Sequence, residues 1–565
     1  MTAQTDLGSA TSIAPPSWRV LGARDRASLV VAAAIVVVLI AQATMVFTRA
    51  VNWDEFWFYV LIEQFHRGLL LQPLQTFHVR LFGWLTALPG NSLDHIIAAR
   101  IAMLGCELVT VGSIAVVARR FVEAPAALLA PLAYLTAGFV MQHGFSFRTD
   151  PVATACLMSA LAILARSRLD ARWIVLFSLL VGLATIVTVK VVLYAPAFAG
   201  LAWMRWAEAR FDRAVLLRLV LCAMGAVAAF GILYVLHSSG LPQAEPASAA
   251  AEQSRSAAGW AFFLGVPPYL SMLTKAIMTA PVLALAIAAA PLAIWSSDLD
   301  RSGKFALTGC WLPVLSPAFY TNTAAYFYVF MLAPVAVACA VPIALAARRY
   351  GFMGAAALMT VMAAFVFSNE DRSVIERQRL LIEEAQTVLP EPVAYFDLDG
   401  ILPFHEKANW LMTPWTMSRY WAEGVPTFTA TMRQRPVPLL VNNWGGFEAA
   451  LNGHDGRNRS NRLLPRDEAA LRENFIRLWG PLWIAGRRVP ADGAVHRSEW
   501  LVPGKYRVED AAVVIDGTRH EVGKTLVIQR GAHGLRAPEG SATLVWADAK
   551  RPARPWSEGD LYTNF

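Results

Sequence analysis

Asn52-Trp53-Asp54-Glu55-Phe56-Trp57-Phe58-Tyr59 places two adjacent carboxylates just past the end of a long apolar run. That run, Ala27 to Phe47, has only Ser28, Gln42 and Thr44 as polar residues, and it is long enough to cross a bilayer, which takes roughly 20 residues. Asp54 and Glu55 therefore emerge at a membrane surface, among aromatic rings that favour that interface. Arg19, Arg24 and Arg26 precede the run, which reads as a retained signal-anchor helix with its N-terminus in the cytoplasm.

The rest of the composition agrees. The chain has 565 residues, 56% of them hydrophobic and 16% charged, with a mean hydropathy of +0.44; these are the values of a polytopic membrane protein. The formal charge of +8 does not point to nucleic acid, because the basic residues are spread through short loops between apolar runs, where they set topology. Cys106, Cys156, Cys222, Cys310 and Cys339 all lie in apolar segments without metal-ligand spacing. No disulfide framework or zinc site is expected.

Outward from the acidic pair, Phe56 to Asn91 is mixed. A span drawn through Leu69 to Pro89 would bury His78 and Arg80, at about 2.5 to 3.5 kcal/mol for a charge at mid-bilayer, so amphipathic helices on the outer surface are expected there. Successive spans then follow at Ile96 to Ala118, Ala126 to Met141, Pro151 to Ala165, Trp173 to Val189, Val191 to Trp203 and Leu216 to Leu236. After a long Ala- and Ser-rich outer loop, Ser238 to Pro268, come Ser271 to Trp295, Phe305 to Tyr320, Tyr326 to Ala347 and Phe352 to Phe367. This makes about eleven transmembrane helices, with every strongly basic short loop on one face. Asp54, Arg148-Thr149-Asp150 and Lys190 share the other.

Beyond Ser368 apolar runs shorten and Pro, Gly and Trp become common. The expected division is a membrane domain at 1–368, an outer soluble α/β region at 369–499 and a small β-sandwich-like region at 500–565. Strands are predicted at Val393–Phe396, Pro438–Val441, Gly504–Val508, Ala512–Gly517, Thr525–Ile528 and Ala542–Trp546. Asp397-Leu398-Asp399-Gly400 reads as an acidic turn after a strand. Trp410, Trp415, Tyr420, Trp421 and Trp444 suit either a core or a sugar-stacking surface.

The order of motifs carries a resemblance. Asp54-Glu55, then Ala99-Arg100 with Ala118-Arg119-Arg120-Phe121, then Arg148-Thr149-Asp150, then Gly182-Leu183-Ala184-Thr185 followed by Thr188-Val189-Lys190 resembles the GT-C glycosyltransferases, in particular the polyprenyl- or dolichyl-phosphate-sugar enzymes that include protein O-mannosyltransferases and the lipid A aminoarabinose transferase. The resemblance covers about the first 350 residues. It implies an α-helical polytopic fold and inverting transfer of a sugar from a lipid-linked phosphate donor to a hydroxyl of a glycan, lipid or protein acceptor. It also implies an active site at the outer face of the plasma membrane.

The residues suit that chemistry. Asp54 is the expected base; a carboxylate is a weak base, so it would take the proton late, as the new bond forms. Asp150 would hold the acceptor or share that role, and Glu55 would act as a third catalytic carboxylate or orient Arg148 or His78. Lys190 and Arg148 are candidates to stabilise the leaving phosphate, with His78, Tyr326 and Tyr328 as further donor contacts. No cofactor is assigned; two carboxylate sites leave a divalent metal ion open. The competing class is a transporter or lipid flippase with the same charges along its path, although no paired internal repeat is visible. A scaffold protein with a degenerate transferase fold is the third.

Overall fold

The computed structural model describes residues 23–242, 259, 261–263, 265–266, 269–453 and 462–563. The first helix, Ala23–Thr48, has 26 residues and at 1.5 Å per residue exceeds the roughly 30 Å of a hydrocarbon core. Six helices among the described residues are long and apolar enough to cross a membrane: Arg24–Thr48, Ser92–Ala118, Thr149–Arg166, Arg213–Ser238, Phe327–Tyr350 and Phe352–Val388. Phe327–Tyr350 is the hub. Within the protein 89% of its apolar window is buried, against 17% for Arg213–Ser238, so the first is surrounded by helices and the second presents its side chains to lipid.

By helix length and apolar composition, six described helices qualify, or seven if the bent pair Leu270–Thr279 and Pro281–Ser296 is one span, against the eleven expected from hydropathy. Two of the expected spans form the shorter helices Ala171–Val187 and Ala195–Glu208, of 17 and 14 residues, and backbone breaks interrupt three others. The run at 126–141 divides into Ala124–Leu135 and Gly138–His143, where the Thr136 hydroxyl donates back to the Leu132 carbonyl at 2.9 Å and competes with the helical ladder. Leu270–Thr279 and Pro281–Ser296 meet at 102°, and the run at 305–320 stops at Trp311 before a tight 3-10 turn containing Pro313 and Pro317. At these last two breaks proline lacks the N–H that would continue the helix. Hydropathy sees the apolar run but not the interruption. Most of the expected loop at 238–268 lies outside the described residues.

Phe56 to Asn91 forms the 14-residue helix Trp53–His66 and two turns of helix at His78–Phe82 and Gly83–Ala87, all too short to span. After the helix Ser373–Val388 the chain builds a sheet. Its strands are β1 (Ala394–Phe396), β2 (Glu406–Lys407), β3 (Leu439–Val441), β4 (Phe475–Trp479), β5 (Leu482–Val489), β7 (Gly504–Glu509), β10 (Thr525–Ile528) and β12 (Ala542–Trp546), in the order β10-β7-β12-β5-β3-β1-β2 with β4 also on β5. The remaining strands, β6 (His496–Trp500), β8 (Val513–Ile515), β9 (Thr518–His520) and β11 (Gly531–Arg536), form a second sheet in the order β6-β11-β8-β9. Because β12 pairs with β5 from Ala542↔Val489 to Val545↔Gly486, one sheet runs across the expected boundary at residue 499.

This C-terminal unit rests on the helix that carries Asp54. Gly400, at φ +99°, closes the turn after β1 and faces the Val60 side chain so closely that a Cβ would collide with it. The same turn explains the acidic motif: one Asp397 oxygen accepts from the Gly400 and Ile401 amides at 2.7 and 2.8 Å, and the other from Lys407 Nζ at 2.5 Å. Asp399 is buried beside it and accepts from the Tyr562 hydroxyl at 2.7 Å. Burial first, and then the charge of Asp397, push the Asp399 carboxyl well above the usual carboxylate range.

Candidate active site

The local sequence presents Asp54 at the start of a helix. Asn52 caps that helix, its side chain accepting from the Asp54 amide at 3.0 Å, while the Glu55 carboxylate accepts from the Asn52 amide at 2.9 Å; the two bonds form a reciprocal capping box. Arg148 stands in extended conformation immediately before the helix Thr149–Arg166 and Asp150 lies in its first turn, where the aligned peptide dipoles favour a carboxylate. Lys190 follows the end of the helix Ala171–Val187, in a 3-10 turn started by Thr188.

Packing joins these three segments. Arg148 Nη1 forms an ion pair with Asp54 Oδ2, and Arg148 Nε lies 3.4 Å from Asp150 Oδ2. Lys190 Nζ donates to Asp150 Oδ1 at 2.6 Å. The result is an alternating row, Asp54, Arg148, Asp150, Lys190, with no net charge. Tyr326 forms its floor: its ring centre is 3.3 Å from the Arg148 guanidinium carbon and 5.6 Å from Lys190 Nζ. Cations over an aromatic face gain about 2 kcal/mol when desolvated. Burial opposes the charge on Arg148, but Asp54 and Asp150 more than compensate and hold its pKa above the ordinary value.

Access is lowest in the middle of the row. The Asp54 side chain is 13% exposed and that of Lys190 9%, against 6% for Arg148 and 1% for Asp150. Asp54 is the more exposed of the two carboxylates.

Three predicted site residues lie elsewhere. Glu55 contacts neither Arg148 nor His78 through an ion pair; it is bound through both oxygens by Arg100, at 2.7 Å to Nε and 2.6 Å to Nη2. Adjacent residues on a helix point about 100° apart, which sends the two carboxylates to different partners. Burial opposes ionisation of Glu55, yet Arg100 and the amides of Asn52 and Phe147 hold its carboxyl below the usual value. His78 is not a surface residue but stands behind Phe58, its Nε2 3.2 Å from the Phe58 carbonyl and its ring centre 4.8 Å from the Phe58 ring. Burial lowers its pKa to about 4, so the imidazole is neutral and ill suited to binding a phosphate. Tyr328 turns toward Phe139, with ring centres 5.1 Å apart.

Two residues without a predicted role belong to the arrangement. Arg100 ties Glu55 to the carbonyls of Val46, Arg49 and Ala50 at 3.3, 2.9 and 2.8 Å. A basic residue buried in the first turns of an apolar span was the available signal. Tyr269, at the start of the helix Leu270–Thr279, lies near enough to Asp54 for that carboxylate to raise its pKa after burial. Nothing local in the sequence marks it.

Among the described residues no group of three or more His, Cys, Asp and Glu converges as a metal site. The donor set itself disfavours a divalent ion, since the space between Asp54 and Asp150 is taken by the Arg148 guanidinium.

No protein-family model matches the chain, and no curated protein matches it. The structure is similar to the crystal structure of ArnT from Cupriavidus metallidurans bound to undecaprenyl phosphate, with a TM-score of 0.51 at 16% identity over 74% of this chain and 94% of that one. A weaker likeness, with a TM-score of 0.46 at 12% identity over 89% of this chain and 76% of the other, is to the oligosaccharyltransferase AglB from Archaeoglobus fulgidus in complex with an inhibitory peptide and a dolichol-phosphate. The likeness to ArnT shows a shared fold.

Proposed function

With the GT-C fold as premise, we propose that the chain is an inverting glycosyltransferase. It moves a sugar from a polyprenyl-phosphate donor to an acceptor hydroxyl of an envelope glycan, lipid or protein, at the outer face of the membrane. The observation that carries this reading is the neutral row Asp54, Arg148, Asp150, Lys190 over Tyr326.

Each member has a task. The acceptor hydroxyl gives its proton to the Asp54 carboxylate while its oxygen attacks the anomeric carbon. The bond from that carbon to the phosphate oxygen breaks on the opposite side, and polyprenyl phosphate leaves with the electron pair. Arg148 and Lys190 stabilise the growing negative charge in a site where water is scarce and fixed cations act strongly. In the free protein Arg148 neutralises Asp54. A donor phosphate competes for the guanidinium, so donor binding releases the base, and Asp150 keeps Arg148 and Lys190 in place during the exchange. Glu55 acts through Arg100 as a positioning residue rather than as a third catalytic group.

Asp54→Asn tests the reading. A general base contributes typically 10²- to 10⁴-fold, so cells carrying this variant should lose the transferred sugar from envelope lipids and glycans, read by mass spectrometry, while the protein stays folded and inserted. Unchanged envelope composition, in this variant or on deletion of the gene, would refute it.

A further inference from the structure

The C-terminal unit forms a cleft that reaches Trp53, the residue before Asp54 in the chain. It has a volume of about 640 Å³, within the range of small-molecule sites. Four indoles from distant parts of the chain line it: Trp53, Trp444, Trp483 and Trp556. All four are half-buried; Trp444 also packs on Phe447 and Trp556 on Trp479. Trp410 and Tyr420, which also suited sugar stacking on sequence grounds, pack on one another and on Phe428 and do not line the cleft.

Polar groups share the lining. Asn442, Asn443, Asn452 and Glu448 are among them, with Glu448 bonded to the amides of Asn442 and Asn452. Carboxamides and carboxylates in one cleft with aromatic rings match the hydroxyls and C–H faces of pyranose rings. The lining also has a sign: Glu448, Glu558 and Asp560 against one cation, Arg477. An anionic ligand is disfavoured.

The cleft is held in register with Asp54. Trp53 precedes Asp54 in the chain and meets the Tyr562 ring edge-on, with centres 5.9 Å apart. Gln378 accepts from the Val51 amide at 2.8 Å and donates to the Val51 and Leu561 carbonyls at 2.7 Å each. One side chain thus binds the loop before Asp54 to the segment that forms the far wall.

We infer that this cleft is the acceptor subsite, and that the acceptor is a neutral or amine-bearing saccharide rather than an acidic glycan. The inference rests on the transferase reading for its role, though not for the binding it asserts. The full chain in nanodiscs is titrated calorimetrically with chitotetraose, maltotetraose and tetragalacturonate. Chitotetraose or maltotetraose should bind, and tetragalacturonate at least tenfold more weakly. Trp444→Ala and Trp483→Ala should each weaken saccharide binding by roughly tenfold, the scale of one lost aromatic contact. Glu448→Arg should narrow or reverse the preference against tetragalacturonate. Thermal unfolding confirms that each variant is folded, and using two tryptophans guards against one substitution that fails to fold.

Binding by neither chitotetraose nor maltotetraose, equal binding of the acidic one, or folded tryptophan variants that bind as the parent does would each overturn the inference. Saccharide binding of the stated pattern in a protein that transfers no sugar would leave the cleft standing and the transferase reading refuted. Sugar transfer unaffected by the tryptophan variants would do the reverse.

Discussion

Replacing Arg100 by leucine should damage the protein more than any other single change near the site. Both members of the Arg100–Glu55 pair are 1% exposed. Arg100 makes two bonds to Glu55 and three to the carbonyls of Val46, Arg49 and Ala50, which engages all three nitrogens of the guanidinium. Removing one partner of a buried ion pair costs about 3–5 kcal/mol, because the other charge is left without compensation. The three carbonyls lose a donor as well, but such terms are not additive and share the same estimate. For a domain of 150–250 residues each kcal/mol shifts Tm by roughly 2–4 °C; in this longer chain a fall of about 5–10 °C is expected, followed as thermal unfolding in detergent or nanodiscs. Arg100→Lys keeps the charge on a single nitrogen with three donors and should fall between. Arg100→Met combined with Glu55→Met should recover at least about 2 kcal/mol of the loss, since it removes both charges. Activity should drop at temperatures where Arg100→Leu is still folded: Glu55 also accepts from the Phe147 amide at 2.7 Å, so the pair fixes the loop before Arg148 relative to Asp54. A leucine variant with unchanged Tm and unchanged transfer would refute the reasoning.

Asp399 carries a pH dependence. Its folded pKa is raised by burial and by Asp397, so its protonated form is the one the fold favours; the contribution is complete below the ordinary carboxylate pKa and is lost as pH climbs from there toward the folded value. Asp399→Asn should therefore be at least as stable as the parent at pH 7 and should flatten the decline in Tm on going from acid to neutral pH; a steeper decline would contradict the assignment. Transfer should withstand EDTA, and a tenfold loss restored by a divalent ion would show that the cations Arg148 and Lys190 do not supply the charge stabilisation. Lys190→Ala should cost about 10²-fold in turnover, with Lys190→Arg recovering part of it, whereas equal loss in both would favour a packing role. Tyr326→Phe should be mild and Tyr326→Ala severe in a transfer assay, because the ring face rather than the hydroxyl supports Arg148.

Much of this protein is written in short-range patterns. Apolar runs marked the long helices, and alternation with turn residues located β1, β3, β7, β8, β10 and β12 to within a residue or two. The carboxylates and cations at helix ends were visible as candidates because a charge beside an apolar span needs a partner or water wherever the chain folds. These are properties of neighbouring residues, and neighbours alone decide them.

What remained was decided by packing. Arg148 reaches Asp54 across 94 positions of sequence and Lys190 reaches Asp150 across 40, pairings set by how helices cross. The same holds for Glu55, which sequence reading placed in the site and which Arg100 claims from 45 residues away, and for Trp556, brought into one cleft with Trp53 by the fold of the C-terminal unit. Side-chain chemistry restricts which partners are acceptable. Only the tertiary structure selects among them, because the energy of a buried charge depends on angstrom-scale distances that no local pattern encodes.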